Sequence, residues 1–267
     1  MSSLSQVQVS KLMDPRPLSV PPTSSAATVR KIMRETGARV ILVTHEARLL
    51  GWVPRRLALL VTTRKTTATA RDIMEEPPVV LSPGETVASA LESMLRVDEW
   101  YAPVVDGGVL AGLLGLEHVI AEHLRLNPGH LAGIRVDEVM SRDPLTVGPD
   151  DFIASIWRIM VERKYAGLPV VDEKGRLVGI ITQYDLLRKG YARVELTSEA
   201  GQHRGPRVRE AMTYTVHYLY PWSSLEEAAR LVAEKGYGRI PIVEDESSRR
   251  LVGIVDREDI VRAVMGW

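Results

Sequence analysis

GIITQYD at 179–185 and GIVDRED at 253–259 are near copies of one heptapeptide. Both keep a glycine, two aliphatic residues and a closing aspartate, while Thr182 of the first is Asp256 in the second. Two fainter copies lie upstream, GWVPRRL at 51–57 and GLLGLEH at 112–118, and both lack the closing aspartate. Upstream of each copy stands a methionine: Met13, Met74, Met140 and Met212. In every case a position 29 residues on, Leu42, Pro103, Pro169 or Pro241, sits in an aliphatic run. From Met to the heptapeptide glycine the distances are 38, 38, 39 and 41 residues, and the extra residues fall in polar stretches such as VVDEKGRLVG. A fixed spacing broken only at one polar stretch marks an internal repeat with a hairpin turn of variable length.

Each repeat reads as β-α-β-β-α. A short extended segment (LTV, 145–147) precedes DDFIASIWRIMVERKY, where Ile153, Ile156, Trp157, Met160 and Val161 share one helical face, with Asp150 or Asp151 as N-cap. Two strands and a last helix from Gln183 follow. One such unit leaves apolar faces uncovered and must pack on a neighbour, so an α+β fold of four units in two tandem pairs is predicted. The unit bounds are 8–66, 67–125, 134–192 and 206–267, giving pairs 8–125 and 134–267. The polar insert 190–210, with Gly201 and Gly205-Pro206, reads as a solvated connection or a lid.

Composition narrows function. The chain has 267 residues, 34 basic and 34 acidic side chains, and no Cys. Zero net charge argues against bulk attraction to nucleic acid or anionic membrane. Disulfides, thiolate nucleophiles and Cys-ligated metals are excluded, and the scattered histidines form no metal-ligand pattern. No apolar run reaches a membrane span, and MSSLSQVQVSKLMD lacks a signal-peptide core, so a cytoplasmic location is expected. No phosphate-loop, dinucleotide-fold, metalloprotease or nucleophile-elbow motif occurs, so no catalytic residue and no metal site is assigned. Trp52, Trp157 and Trp222 read as core or interface residues.

Thr182 stands where a strand turns into a helix, and Asp185 lies one turn on. The hydroxyl can cap the helix and meet an anion at its N-terminus, and the carboxylate has two acceptor oxygens for a ribose cis-diol. The same two residues are also those of a plain helix cap. The Met pattern, the aliphatic-Pro-Val-Val strand and the Gly-x-x-Thr-x-x-Asp heptapeptide together resemble the CBS domain, which occurs in tandem pairs called Bateman modules. Four copies resemble stand-alone archaeal CBS proteins and the γ subunit of the AMP-activated protein kinase.

That resemblance implies a regulatory module binding AMP, ADP, ATP or S-adenosylmethionine between paired units, with Mg²⁺ accompanying ATP, and it implies no reaction. It also implies a role for Arg239, in YGRIPI, as a cation for the phosphate beside Thr182 and Asp185; the equivalent positions are Val40, Tyr101 and Gly167. The base is expected beside Asp143, Leu145, Thr146 and Val147 with Ala166, Gly167, Leu168 and Pro169. In unit four the matching residues are Thr215, Val216, His217 and Tyr218 with Gly238, Ile240 and Pro241. Asp259 keeps the ribose position in unit four, while Asp256 there repels phosphate unless a cation such as Arg257 intervenes. In pair one Pro54, Leu57, Gly115 and His118 replace the ligand-binding residues, so 8–125 is read as a structural or partner-binding pair. A homodimer, or one chain whose two pairs satisfy each other, is expected, with an unknown protein partner. An interaction scaffold with permanently bound nucleotide is the alternative; a nucleic-acid-binding regulator or an enzyme ranks below it.

Overall fold

The computed structural model describes residues 4–60, 67–191 and 205–267. Residues 61–66 of the first join and 192–204 of the insert lie outside the described residues, and with them most of the segment read as a connection or lid.

Unit one contains β1 (Ser19–Val20), α1 (Ala26–Thr36), β2 (Val40–His45), β3 (Arg48–Pro54) and α2 (Arg55–Ala58). Unit two contains α3 (Ala70–Ile73), α4 (Val87–Arg96), β4 (Tyr101–Asp106), β5 (Val109–Gly115) and α5 (Leu116–Leu126). Unit three contains α6 (Val136–Val139), β6 (Ser141–Arg142), α7 (Ile153–Glu162), β7 (Gly167–Val171), β8 (Leu177–Thr182) and α8 (Gln183–Lys189). Unit four contains α9 (Val208–Ala211), α10 (Leu225–Lys235), β9 (Arg239–Val243), β10 (Leu251–Asp256) and α11 (Arg257–Met265). The order is the predicted one, with a single helical turn ahead of each methionine.

The first long helix of each unit is amphipathic for the reason its sequence states. In α10, Leu225, Ala228, Ala229 and Val232 are buried at helical spacing, Ser224 caps the start through its Oγ, and Gly236 ends the helix at φ 70°. Helix α7 buries Ile153, Ile156, Trp157 and Met160 as expected, but its N-cap is Phe152, with no side-chain cap. The cap expectation fails because Asp151 is spent on its own turn, accepting from Gly148 N–H at 2.7 Å. Trp52 and Trp157 are buried, whereas Trp222 is 57% exposed, stacked on Tyr220.

Pairing within each pair is reciprocal. In each hairpin the two strands run antiparallel, and the opening segment of the unit lies parallel to the first of them, as in Ser19↔Leu42 and Leu219↔Ile242. The residues just after each methionine cross to the partner unit. Asp14 pairs with Leu113 of β5, Glu75 with Trp52 of β3, Ser141 with Ile254 of β10, and Thr213 with Ile180 of β8.

That crossing explains both markers of the repeat. A Cβ on Gly253 would lie 2.5 Å from Met140 Sδ, and one on Gly112 would lie 2.6 Å from Met13 Sδ. Gly51 meets Met74 and Gly179 meets Met212 in the same way, at 3.1 and 2.8 Å. Each heptapeptide glycine therefore makes room for the methionine of the partner unit.

The two pairs cover each other's helices. One core joins unit two to unit four, with Leu91, Ile120, Val232 and Ile260 in a single cluster. The other joins unit one to unit three, with Val29, Met33, Ile156 and Leu186. Each buried Leu or Ile of this kind contributes about 1.5–3 kcal/mol. Among the described residues no helix is long and apolar enough to cross a membrane.

Candidate functional site

Strand β8 ends at Thr182, which is the N-cap of α8. The first-turn carboxylate of Asp185, 4% exposed, is held by three donors. Thr182 N–H and Oγ1–H donate to Oδ2 at 2.9 and 2.5 Å, and Thr213 Oγ1–H donates to Oδ1 at 3.0 Å. Thr213 arrives from unit four through the strand crossing. Charge-assisted bonds of this kind fix the carboxylate without using all its lone pairs. The same contacts make a capping box.

Asp185 faces a cleft of about 560 Å³. Of the residues singled out in the sequence, Ala166, Gly167, Thr182, Asp185, Thr215, Val216, His217, Gly238, Arg239 and Pro241 line it. Gly167 and Gly238 keep its walls open: a Cβ on the first would meet Thr182 Cγ2 at 3.0 Å, and one on the second Arg39 Nη2 at 2.8 Å. Asp143, Leu145, Thr146, Val147, Leu168, Pro169, Tyr218, Ile240, Asp256, Arg257 and Asp259 do not line this cleft. Of these, Val147, Leu168 and Ile240 are core residues.

Pair one also builds the cleft, which the sequence reading missed. Glu35, Thr36, Gly37, Arg39 and Arg55 form part of its wall. Arg39 donates to the Gly236 carbonyl at 3.1 Å. Burial, then repulsion from Arg257, holds the Arg39 pKa below its ordinary value. Burial, then Arg39, pushes Arg55 down to about 9. These depressed values mark cations short of counter-charge. The available signal was a register one residue off the position compared with Arg239. Arg39, Trp100, Ala166 and Gly238 each stand 26 residues after their unit's methionine. In the fold Arg39 and Trp100 meet at Gly238, where a side chain would clash with both.

Arg239 lies between two rings, its guanidinium carbon 4.9 Å from the Trp100 centroid and 5.6 Å from Tyr165. Its Nε is 3.8 Å from Asp256 Oδ2, and its buried Nη1 has no hydrogen-bond partner among the described residues. Burial is the main cause raising Asp256. Burial, then Asp256, pushes Asp259 up to about 7. Arg257 does not stand between them and a ligand. It is 2% exposed and turned inward, donating to Tyr101 Oη at 2.6 Å and Glu117 Oε2 at 2.7 Å.

The corresponding cleft of pair one is filled from within. Pro54 offers no cap and Leu57 packs in the core. His118 Nδ1 accepts from Gly115 N–H at 3.2 Å, doing the structural half of an aspartate's work. Glu75, one residue after Met74 as Thr213 is after Met212, accepts from Trp52 Nε1 at 3.2 Å and pairs with Arg56. A smaller cavity of about 260 Å³ remains there, lined by Trp52, Arg56, Glu99, Trp100 and Lys164 among others.

The CBS domain profile matches residues 9–59, 70–124, 136–191 and 208–266. The uncharacterized protein MJ1225 of Methanocaldococcus jannaschii is 28% identical over 198 residues, 72% of this chain and 68% of its own. Its crystal structure superposes with a TM-score of 0.82 at 23% identity, covering 96% of this chain and 99% of that one, a likeness of fold. Inosine-5'-monophosphate dehydrogenase of the same organism is 34% identical over 128 residues, 48% of this chain and 23% of the enzyme, so the chain spans under a quarter of that relative. The Arabidopsis thaliana protein CBSX2, solved in complex with AMP, is 32% identical, with a TM-score of 0.43, covering 50% of this chain and 98% of that one.

Proposed function

The chain belongs to the CBS domain family, with four copies spread over its length, and on that premise we propose that it is a non-catalytic regulatory module taking an adenine nucleotide in the cleft between units three and four. The observation that carries this reading is Asp185: a buried carboxylate, oriented by Thr182 and Thr213, facing a cleft that Arg39 and Arg239 also line. A ribose diol fits the acceptor and a phosphate fits the cations. Arg239 Nη1, buried without a partner among the described residues, is the kind of donor an anionic ligand would satisfy. The base would lie along Thr215, Val216 and His217 against Ala166 and Gly167. Because two units and pair one all contribute walls, ligand in the cleft would bias how the two pairs sit on each other, by as much as its affinity differs between arrangements.

Calorimetry with AMP, ADP, ATP, S-adenosylmethionine and adenosine tests the reading. Asp185→Ala is expected to lower nucleotide affinity at least about tenfold, since a hydrogen bond to a charged group contributes about 1.5–3 kcal/mol. Arg239→Ala should weaken phosphorylated ligands and leave adenosine nearly unchanged. Undiminished AMP binding by Asp185→Ala would remove the cleft from consideration. A scaffold holding its nucleotide permanently would instead show the ligand's mass in native mass spectra of protein purified without nucleotide.

A further inference from the structure

Arg239 faces two ways. Its side chain lines the cleft of Asp185, and its Nε stands 3.8 Å from Asp256 on the neighbouring strand β10. Asp256 and Asp259 share the first turn of α11. Asp259 Oδ2 accepts from Asp256 N–H at 2.9 Å, and Asp256 Oδ1 accepts from the N–H groups of Glu258 and Asp259 at 2.9 and 3.4 Å. Two carboxylates this close in a partly buried turn repel each other.

Among the described residues, the charges around the pair are few. On α11 itself, Glu258 adds a further carboxylate, neutralised by Arg262 at 2.8 Å, and Arg257 is committed to Tyr101 and Glu117. From β6, at the other edge of β10, Arg142 donates to the Asp137 carbonyl. From β9 comes Arg239, the cation acting on both aspartates.

We infer that Arg239 is exchanged between two partners: a ligand phosphate in the Asp185 cleft draws it from the Asp256–Asp259 pair, and that pair takes up a proton from solvent in its place. The inference rests on the nucleotide reading above. A phosphate oxygen offers Arg239 shorter contacts than the 3.8 Å it has with Asp256, and its orphaned Nη1 gains a partner. Left without the cation, two adjacent carboxylates cannot both stay ionised at low cost. Burial, then Asp256, already pushes Asp259 up to about 7, and withdrawal of Arg239, the smallest of the influences on it, adds to that rise. Proton and phosphate then bind in mutual support, each strengthening the other by the same factor.

Calorimetry of the full chain at pH 8 in two buffers of different ionisation enthalpy counts the protons. A group with a pKa of about 7 is about nine-tenths ionised at pH 8, so a rise of about one unit on AMP binding would take up about 0.4 proton. The AMP phosphate, with its second pKa near about 6, is already ionised there and adds little. Adenosine should draw none, and Asp259→Asn should lose the proton from the AMP binding heat. Equal proton counts for AMP and adenosine, or for the wild type and Asp259→Asn, overturn the inference while leaving the nucleotide reading intact. If neither AMP nor adenosine binds, the nucleotide reading falls and the inference with it. Should Asp259→Asn fail to fold, the carboxyl carbon of Asp259 followed by NMR in the wild type gives the answer. Its pKa is expected to rise on adding AMP, and an unchanged value in AMP-saturated protein overturns the exchange.

Discussion

Asp185 and Asp259 hold the same place in their helices, yet their surroundings set them apart. Asp185 receives two threonine hydroxyls, whereas Asp259 faces Asp256. The folded chain therefore binds the Asp259 proton more tightly than the unfolded chain, with a pKa raised from 3.8 to about 7. Stability from this group is fully present below about pH 4 and is lost as pH rises through about 7. Asp259→Asn, which cannot ionise, should leave the melting temperature unchanged at pH 3.5 and raise it at pH 8. An equal shift at both values would mean that the carboxylate is not strained. The cap made by Thr182 and Asp185 was legible because a helix start needs those residue types at that spacing. The next position was not. Arg55, Gln183 and Arg257 open their helices and reach back to carbonyls at the end of their own unit's first helix: Ala38, Tyr165 and Tyr237 respectively. No local pattern announces a contact some twenty residues back, and Arg257, read as a ligand cation, belongs to this set.

At the scale of elements, the methionine and the glycine of each repeat are two sides of one contact made across the pair. Gly253→Ala is expected to destabilise by about 1–3 kcal/mol, because its Cβ would fall on Met140 Sδ. In a Met140→Ala background the same substitution should lose most of its cost, with the Ser141 backbone oxygen at 3.1 Å keeping a remainder, a coupling that a double-mutant cycle in urea would measure. Gly112→Ala should keep most of its cost in a Met13→Ala background, since the Asp14 backbone oxygen also lies at 2.6 Å. Additive costs at Gly253 would refute the contact. Repeat length, strand order and hairpins were legible from spacing alone. The exchange of segments was not, because a bridge such as Ser141 to Ile254 spans more than a hundred residues and leaves no periodicity.

At the scale of the molecule, the two pairs are joined by apolar helix faces and, among the described residues, by charged contacts that include Lys164–Glu99 and Arg257–Glu117. Arg257, nearly without solvent, reaches Glu117 and Tyr101 of the other pair, and burial pushes the Tyr101 pKa up to about 12. Removing one partner of such a pair leaves a buried charge, which costs about 3–5 kcal/mol. Glu117→Ala should therefore lower the melting temperature by roughly 6–20 °C. A loss of under a degree in calorimetry would show that the contact is solvated. The sequence predicted that the pairs need cover but not which helices meet, since units one with three and two with four bury equally apolar faces.

The reciprocal crossing within each pair also bears on ancestry. A lone unit would send its methionine segment into empty solvent and leave its hairpin glycine bare, so it could not have been selected as a separate protein in this form. The smallest piece that duplication could copy with every strand crossing complete is a pair, or one unit that first met a second copy of itself. Joints that recombination can cut without severing a strand crossing thus fall between pairs, around 127–134, and a chimera joined between units one and two would inherit half of each handshake.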